Sequence, residues 1–203
     1  MTNKYMYFIA NWKMFGGLNS LNTIDKVVKF FKAFKKNRSI KIIYCPPSTL
    51  IGPMSKKLKK TNIEIGAQNC HEQESYGAFT GSINSKMLKN IGAKYVIIIF
   101  CIGETLSEKR KKITKKILDK QLKLGLNKIN SKKNIIIAYE PVWSIGTGLI
   151  PKSDDLYETV NFIKKKMRKN KVLYGGSVNP KNINDLKLID NIDGYLIGGA
   201  SQD

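Results

Sequence analysis

Three kinds of residue stand where they could do chemistry. Glu140 closes the apolar run Ile135-Ile136-Ile137-Ala138-Tyr139, and Pro141 after it fixes the chain direction. A carboxylate at the dry end of a strand is a candidate general base. Asn11 and Lys13 follow another short apolar run and could offer an anionic substrate a hydrogen bond and a positive charge. Glycines gather in Ser144–Gly148, Gly175-Gly176-Ser177 and Gly198-Gly199-Ala200-Ser201. Without a Cβ, backbone N–H groups approach an oxyanion closely, so three such clusters together fit a phosphate cradle. Taken singly, each cluster fits turn geometry equally well. Spacing alone leaves a structural role open for Glu140 and Lys13.

The elements that must position these residues are legible as alternation. Strand-like runs occur at Tyr5–Ala10, Ile40–Cys45, Ile63–Ala67, Lys94–Ile102, Ile135–Tyr139, Lys171–Tyr174 and Gly194–Ile197. Between the first two, Ile24, Val27, Val28, Phe31 and Phe34 recur at helical spacing. Ser82–Ile91, Leu106–Ile129, Ser153–Met167 and Pro180–Leu188 read as helices. Ser48–Lys60 is interrupted by Pro53, which removes a backbone donor. Strands alternating with helices predict an α/β fold with a parallel sheet, and the candidate residues follow strands, at the C-terminal ends where βα folds place their sites.

Composition narrows the classes. With 203 residues and 42% apolar content the chain is long enough for one core, and a single domain over 1–203 is expected. The longest apolar run is far below the ~20 residues that span a bilayer, so no membrane partner is expected. Three dispersed cysteines, Cys45, Cys70 and Cys101, suit reduced thiols and a cytoplasmic setting. A lone histidine, His71, gives no metal-ligand spacing, and no metal is expected. The charge of +21 raises a nucleic-acid reading. Yet 33 of the 36 cations are Lys, interleaved with apolar residues as on solvated helix faces, whereas forked base and phosphate recognition favours Arg. No nucleic-acid partner is expected.

Ala10-Asn11-Trp12-Lys13-Met14, Gly66-Ala67-Gln68-Asn69, Gly77-Ala78-Phe79-Thr80-Gly81 and Cys101-Ile102-Gly103-Glu104-Thr105 occur in order. They are followed by Ala138 through Gly148, Tyr174-Gly175-Gly176-Ser177-Val178 and Gly198-Gly199-Ala200-Ser201. Together these motifs resemble the triosephosphate isomerase family across nearly the whole chain. The resemblance implies a TIM (β/α)8-type barrel and cofactor-free interconversion of dihydroxyacetone phosphate and glyceraldehyde 3-phosphate through an enediolate, in glycolysis and gluconeogenesis. It implies Glu140 as the base and Asn11 and Lys13 as the substrate-oxygen and charge-stabilising pair. Pro141–Leu149 matches the lid over the phosphate. Gly146, Ser177, Gly198 and Gly199 match the backbone donors, and Ile145 and Leu196 the apolar clamp on the base. A homodimer is also implied, through the loop Gln68–Gly81.

Two departures from that family stand out. Its fourth strand leads into Gly-His-Ser-Glu, whose histidine polarises the substrate carbonyl. Here Tyr95-Val96-Ile97-Ile98 runs directly into Ile99-Phe100-Cys101-Ile102, with the histidine and the helix between the strands both missing. The chain also stops after Gly198-Gly199-Ala200-Ser201-Gln202-Asp203, before the family's eighth helix. Against about 250 residues for a typical barrel, losses of ~30 internally and ~18 at the end are expected. The expectation is therefore a truncated barrel of about seven parallel strands and six helices, with strands 4 and 5 fused and helices 4 and 8 missing. Since a positioned acid or base contributes about 10² to 10⁴ in rate, impaired or absent isomerase activity is expected, with a non-catalytic phosphate-binding remnant as the alternative. His71 could replace the electrophile only from its loop, where a solvated role is the ordinary reading.

Overall fold

The computed structural model describes residues 5–34, 39–96, 99–127, 129 and 135–202. The chain divides into two compact units, Met1–Ile97 with Ser201–Asp203, and Ile98–Ala200.

The first unit holds four parallel strands, β1 (Met6–Asn11), β2 (Ile40–Cys45), β3 (Glu64–Ala67) and β4 (Tyr95–Val96), in the order β4-β3-β2-β1. Register is set by pairs such as Ile9 with Ile43, Ile43 with Glu64, and Gly66 with Tyr95. Helices α1 (Thr23–Ala33), α2 (Ser48–Leu58) and α3 (Ser85–Asn90) join them. Ile24 and Phe31 of α1 are buried with Leu50, Ile51, Met54 and Leu58 of α2 in one cluster with Ile65 and Tyr44 of the strands. This explains why α2 runs through Pro53. An interior proline costs ~3 kcal/mol, whereas each of the four buried α2 side chains returns about 1.5–3 kcal/mol. Asn84 caps α3 by accepting the Met87 N–H at 2.9 Å.

The second unit holds β5 (Ile99–Ile102), β6 (Ile136–Tyr139), β7 (Lys171–Tyr174) and β8 (Gly194–Ile197), parallel and in the order β8-β7-β6-β5. Its helices are α4 (Leu106–Arg110), α5 (Thr114–Gly125), α6 (Ser153–Lys166) and α7 (Ile183–Leu186). Leu118 and Leu122 of α5 and Leu156, Val160 and Ile163 of α6 are buried, as are Ile137, Val172 and Leu173 of the strands.

The runs read as strands all appear. The run 94–102 contains two segments with different partners, β4 on β3 and β5 on β6. Its fusion point, 97–98, lies outside the described residues. The helix expected over Leu106–Ile129 is instead two, which raises the helix count to seven among the described residues. The break is a Schellman stop: the Ile113 N–H donates to the Glu108 carbonyl at 3.2 Å and the Lys112 N–H to that of Lys109 at 2.9 Å, with Lys112 at φ +57. Upstream, Thr105 and Glu108 close a capping box, so α4 is a complete short helix with its own start and end.

Candidate functional site

In the first unit, Asn11 and Lys13 leave the C-terminal end of β1. The Lys13 N–H donates to Asn11 Oδ1 at 2.9 Å, an Asx turn that places Lys13 at φ +54. A left-handed conformation costs a lysine about 1–2 kcal/mol, so neighbours must hold it. The Gln68 amide does so, donating to the carbonyls of Lys13 at 2.8 Å and Cys45 at 2.7 Å. Trp12 is fully buried between these positions, with its indole N–H on the Ser201 carbonyl at 3.0 Å and its own carbonyl accepting from Gln202 at 3.1 Å. The Lys13 side chain itself is exposed. Gln68 carries a positioning role that the sequence reading did not assign, although it stood in a quoted motif one residue beyond β3.

In the second unit, Glu140 continues the β6 ladder, its N–H donating to the Ile102 carbonyl at 2.8 Å. Its carboxylate lies over Gly175 at the end of β7. A Cβ on that glycine would stand 2.7 Å from Glu140 Cγ and Oε1, and one on Gly103 would run into the Glu140 carbonyl. Two glycines thus make room for one acid at adjacent strand ends.

The segment Pro141–Leu149 folds over as a tight loop tied at both ends. Ser144, buried, donates from its Oγ to the Leu149 carbonyl and lies 3.2 Å from the Tyr174 hydroxyl. Ser177 Oγ donates to the Ser144 carbonyl and accepts the Gly148 N–H at 3.0 Å. Gly146 and Gly148, at φ +71 and +79, take the turns that a side chain would oppose. Ser177 is itself at φ +48, so its hydroxyl serves the loop while its backbone takes the strained turn after the glycine pair. Ile145 is exposed and Leu196 buried. Gly199 follows β8 with open space where a side chain would be.

Beneath the loop sits a carboxylate to which the sequence reading assigned no role. Glu104 is fully buried, accepting from the Trp143 indole at 3.0 Å and from the Tyr139 hydroxyl at 3.2 Å to each oxygen. Its carbonyl accepts the Val142 N–H at 3.0 Å. Burial first, and the Glu104 charge second, push the Tyr139 phenol well above its ordinary value, so Tyr139 stays a donor. The motif Cys101–Thr105 was a signal for Glu104. Its link to Trp143, 39 residues on, becomes visible only when β5 and β6 pair.

His71 lies in the first unit, on the loop after β3. Its N–H donates to the Ile83 carbonyl at 2.8 Å, its Nδ1 accepts from Gln73 at 3.1 Å, and its ring packs 4.6 Å from Phe79. It is half-buried and locally committed rather than simply solvated. Among the described residues no group of three or more His, Cys, Asp or Glu side chains could hold a metal ion, and no helix is long and apolar enough to cross a membrane.

Comparison with known proteins gives one answer. The triosephosphate isomerase family model matches residues 6–99 and 96–203, two segments that meet at the β4–β5 connection. Triosephosphate isomerase of Clostridium novyi (strain NT) is 36% identical over 233 aligned positions, covering 95% of this chain and 92% of that protein. That of Carboxydothermus hydrogenoformans is 35% identical over 236, covering 96% and 93%. Alignments of 233 positions against a chain of 203 residues leave at least 30 with no residue here, 233 − 203. The crystal structure of the Bartonella henselae triosephosphate isomerase superposes with a TM-score of 0.80 at 33% identity, covering 98% of this chain and 94% of that one. The barrel family and the curated relatives agree with the motifs at the strand ends: this chain belongs to the triosephosphate isomerase family.

Proposed function

We propose that this chain binds triose phosphates and carries out, at a much reduced rate, the interconversion of dihydroxyacetone phosphate and glyceraldehyde 3-phosphate. Glu140 takes a proton from the carbon next to the carbonyl, leaving an enediolate, and returns it to the neighbouring carbon while the hydroxyl proton passes from one substrate oxygen to the other, so no cofactor is consumed. Asn11 and Lys13 bind the substrate oxygen and offset its developing charge. The backbone N–H groups of Gly146, Ser177, Gly198 and Gly199 take the phosphate, with residues 1–203 working as one functional domain, as a homodimer, in the cytoplasm.

The observation that carries this reading is the Glu140 carboxylate, seated over Gly175 beside a loop tied down by Ser177. The reduced rate follows from the histidine inventory. The only histidine, His71, lies on the loop after β3 with its Nδ1 accepting from Gln73, and not in the run 95–102 where the resemblance would place the electrophilic imidazole. Removing a positioned acid costs about 10²–10⁴ in rate. The same observation favours a second reading, a phosphate-binding barrel without turnover.

A coupled isomerase assay on the chain and on Glu140→Gln, with phosphate affinity measured by calorimetry on both, separates the two. Turnover lost in Glu140→Gln supports the enzyme. Equal background rates with retained phosphate affinity support the binder. Absence of both overturns the proposal.

A further inference from the structure

Within the second unit, one buried serine stands at the foot of an exposed turn. Ser144 is fully buried, whereas every residue from Ile145 to Leu149 is exposed. A serine hydroxyl has one proton to give and two lone pairs to accept with. Ser144 gives its proton to the Leu149 carbonyl, so the buried Tyr174 hydroxyl, 3.2 Å away, is the donor to Ser144 Oγ. The Ser144 carbonyl accepts from Ser177 Oγ and from Thr147 Oγ1, the latter at 3.1 Å. Its N–H donates to the Pro141 carbonyl at 2.8 Å. Gly176 leaves room for the two hydroxyls, since a Cβ there would stand 2.5 Å from both Ser144 Oγ and the Tyr174 oxygen.

We infer that Ser144 is a positioning residue for phosphate: its hydroxyl ties the far end of the turn back to the near end and both to β7, which presets the Gly146 N–H before a ligand arrives. The role rests on the proposed phosphate site. Ser144 acts through the turn and touches no substrate atom itself. The turn needs such a post, because two of its five residues are glycines at positive φ, with the most backbone freedom to lose, and its side chains face solvent. A turn already ordered spares the ligand the entropy of ordering it.

Ser144→Ala removes both hydroxyl bonds and adds no bulk, whereas Tyr174→Phe removes only the link to β7. Two measurements on the full chain test the role: amide exchange by NMR without ligand, and calorimetry with glycerol 3-phosphate, an unreactive phosphate ester of the same chain length as the substrate. The amides of Thr147, Gly148 and Leu149 are all hydrogen-bonded in the turn. In Ser144→Ala their protection and the glycerol 3-phosphate affinity should each fall about tenfold, the effect of losing hydrogen bonds of ordinary strength. Protection along β5–β8 should stay as it was. A merely structural serine would loosen those strands as much as the turn, and that result overturns the inference.

A double-mutant cycle adds a second readout. If Tyr174 acts through the Ser144 oxygen, Ser144→Ala with Tyr174→Phe loses no more affinity than Ser144→Ala alone, and additive losses overturn the inference. If Ser144→Ala does not fold, Tyr174→Phe decides: unchanged exchange at residues 147–149 overturns the inference, and faster exchange confined to them supports it. Unchanged protection or affinity in Ser144→Ala, beside a native chain that binds, overturns this role alone. A native chain with a protected turn and no affinity for glycerol 3-phosphate overturns this role together with the proposed phosphate site, so the two failures are told apart.

Discussion

Glu140 depends on what is not there. Gly175 leaves space for its carboxylate, and a methyl group at that position would meet the end of a side chain rather than backbone. Gly175→Ala should therefore leave thermal stability nearly unchanged while displacing the acid by about an ångström. Any Glu140-dependent turnover should fall by about 10²-fold, measured by the coupled assay beside a melting curve. The buried tyrosines carry a second residue-scale prediction. Burial pushes Tyr44 and Tyr195 up to about 12, and Tyr174 to about 12 as well, from an ordinary value of 10. Above pH 10 the unfolded chain releases these protons and the folded one keeps them, so the native state loses ground as pH rises. The unfolding free energy should be flat below pH 9 and fall between about pH 10 and 12, with a shallower fall in Tyr174→Phe. Denaturant titrations across that range check it.

At the scale of elements, α4 and α5 show how a local stop overrides periodicity. Apolar residues at helical spacing run from Leu106 to Ile129, and the sequence offers no glycine where the helix turns. The stop sits on Lys112 in the left-handed region, a conformation that is costly for any residue with a Cβ. Lys112→Gly should remove that cost and raise the unfolding free energy by about 0.5–1 kcal/mol, read as a higher melting temperature. Unchanged stability would mean that the break is held by packing alone. In contrast, the strands were legible almost to the residue, as in Ile40–Cys45, because buried parallel strands read as continuous β-branched runs with turn residues after them.

For the whole molecule, a net charge of +21 acts on all parts of the fold at once. With 36 cations against 15 anions, much of the cationic surface has no acidic partner, and the ion pairs among described residues are mostly exposed. Such pairs contribute little each, while self-repulsion acts on the whole compact state. Raising ionic strength from about 0.02 to 0.3 M shortens the screening length several-fold. The melting temperature should therefore rise with salt, opposite to a fold held by surface ion pairs. A fall would place attraction above repulsion. Calorimetry in sodium chloride, at a fixed protein concentration, separates this from salt-driven association.

Residue type and local pattern were enough for the alternation of strands and helices, the family and the strand-end residues Asn11, Lys13, Glu140, Ser177 and the glycines. Each is a matter of residue type at a fixed place in a local pattern. That the chain carries a single histidine, His71, is likewise a fact of composition. Tertiary structure decided what depends on residues far apart in the chain. Gln68 holds Lys13 across 55 positions, Glu104 reaches Trp143 across 39, and Ser177 latches Gly148 across 29. It also decided that β4 and β5, nearly contiguous in sequence, take different neighbours. Local pattern sets which element forms, but hydrogen bonds between distant segments exist only once parallel strands have brought their ends to one level.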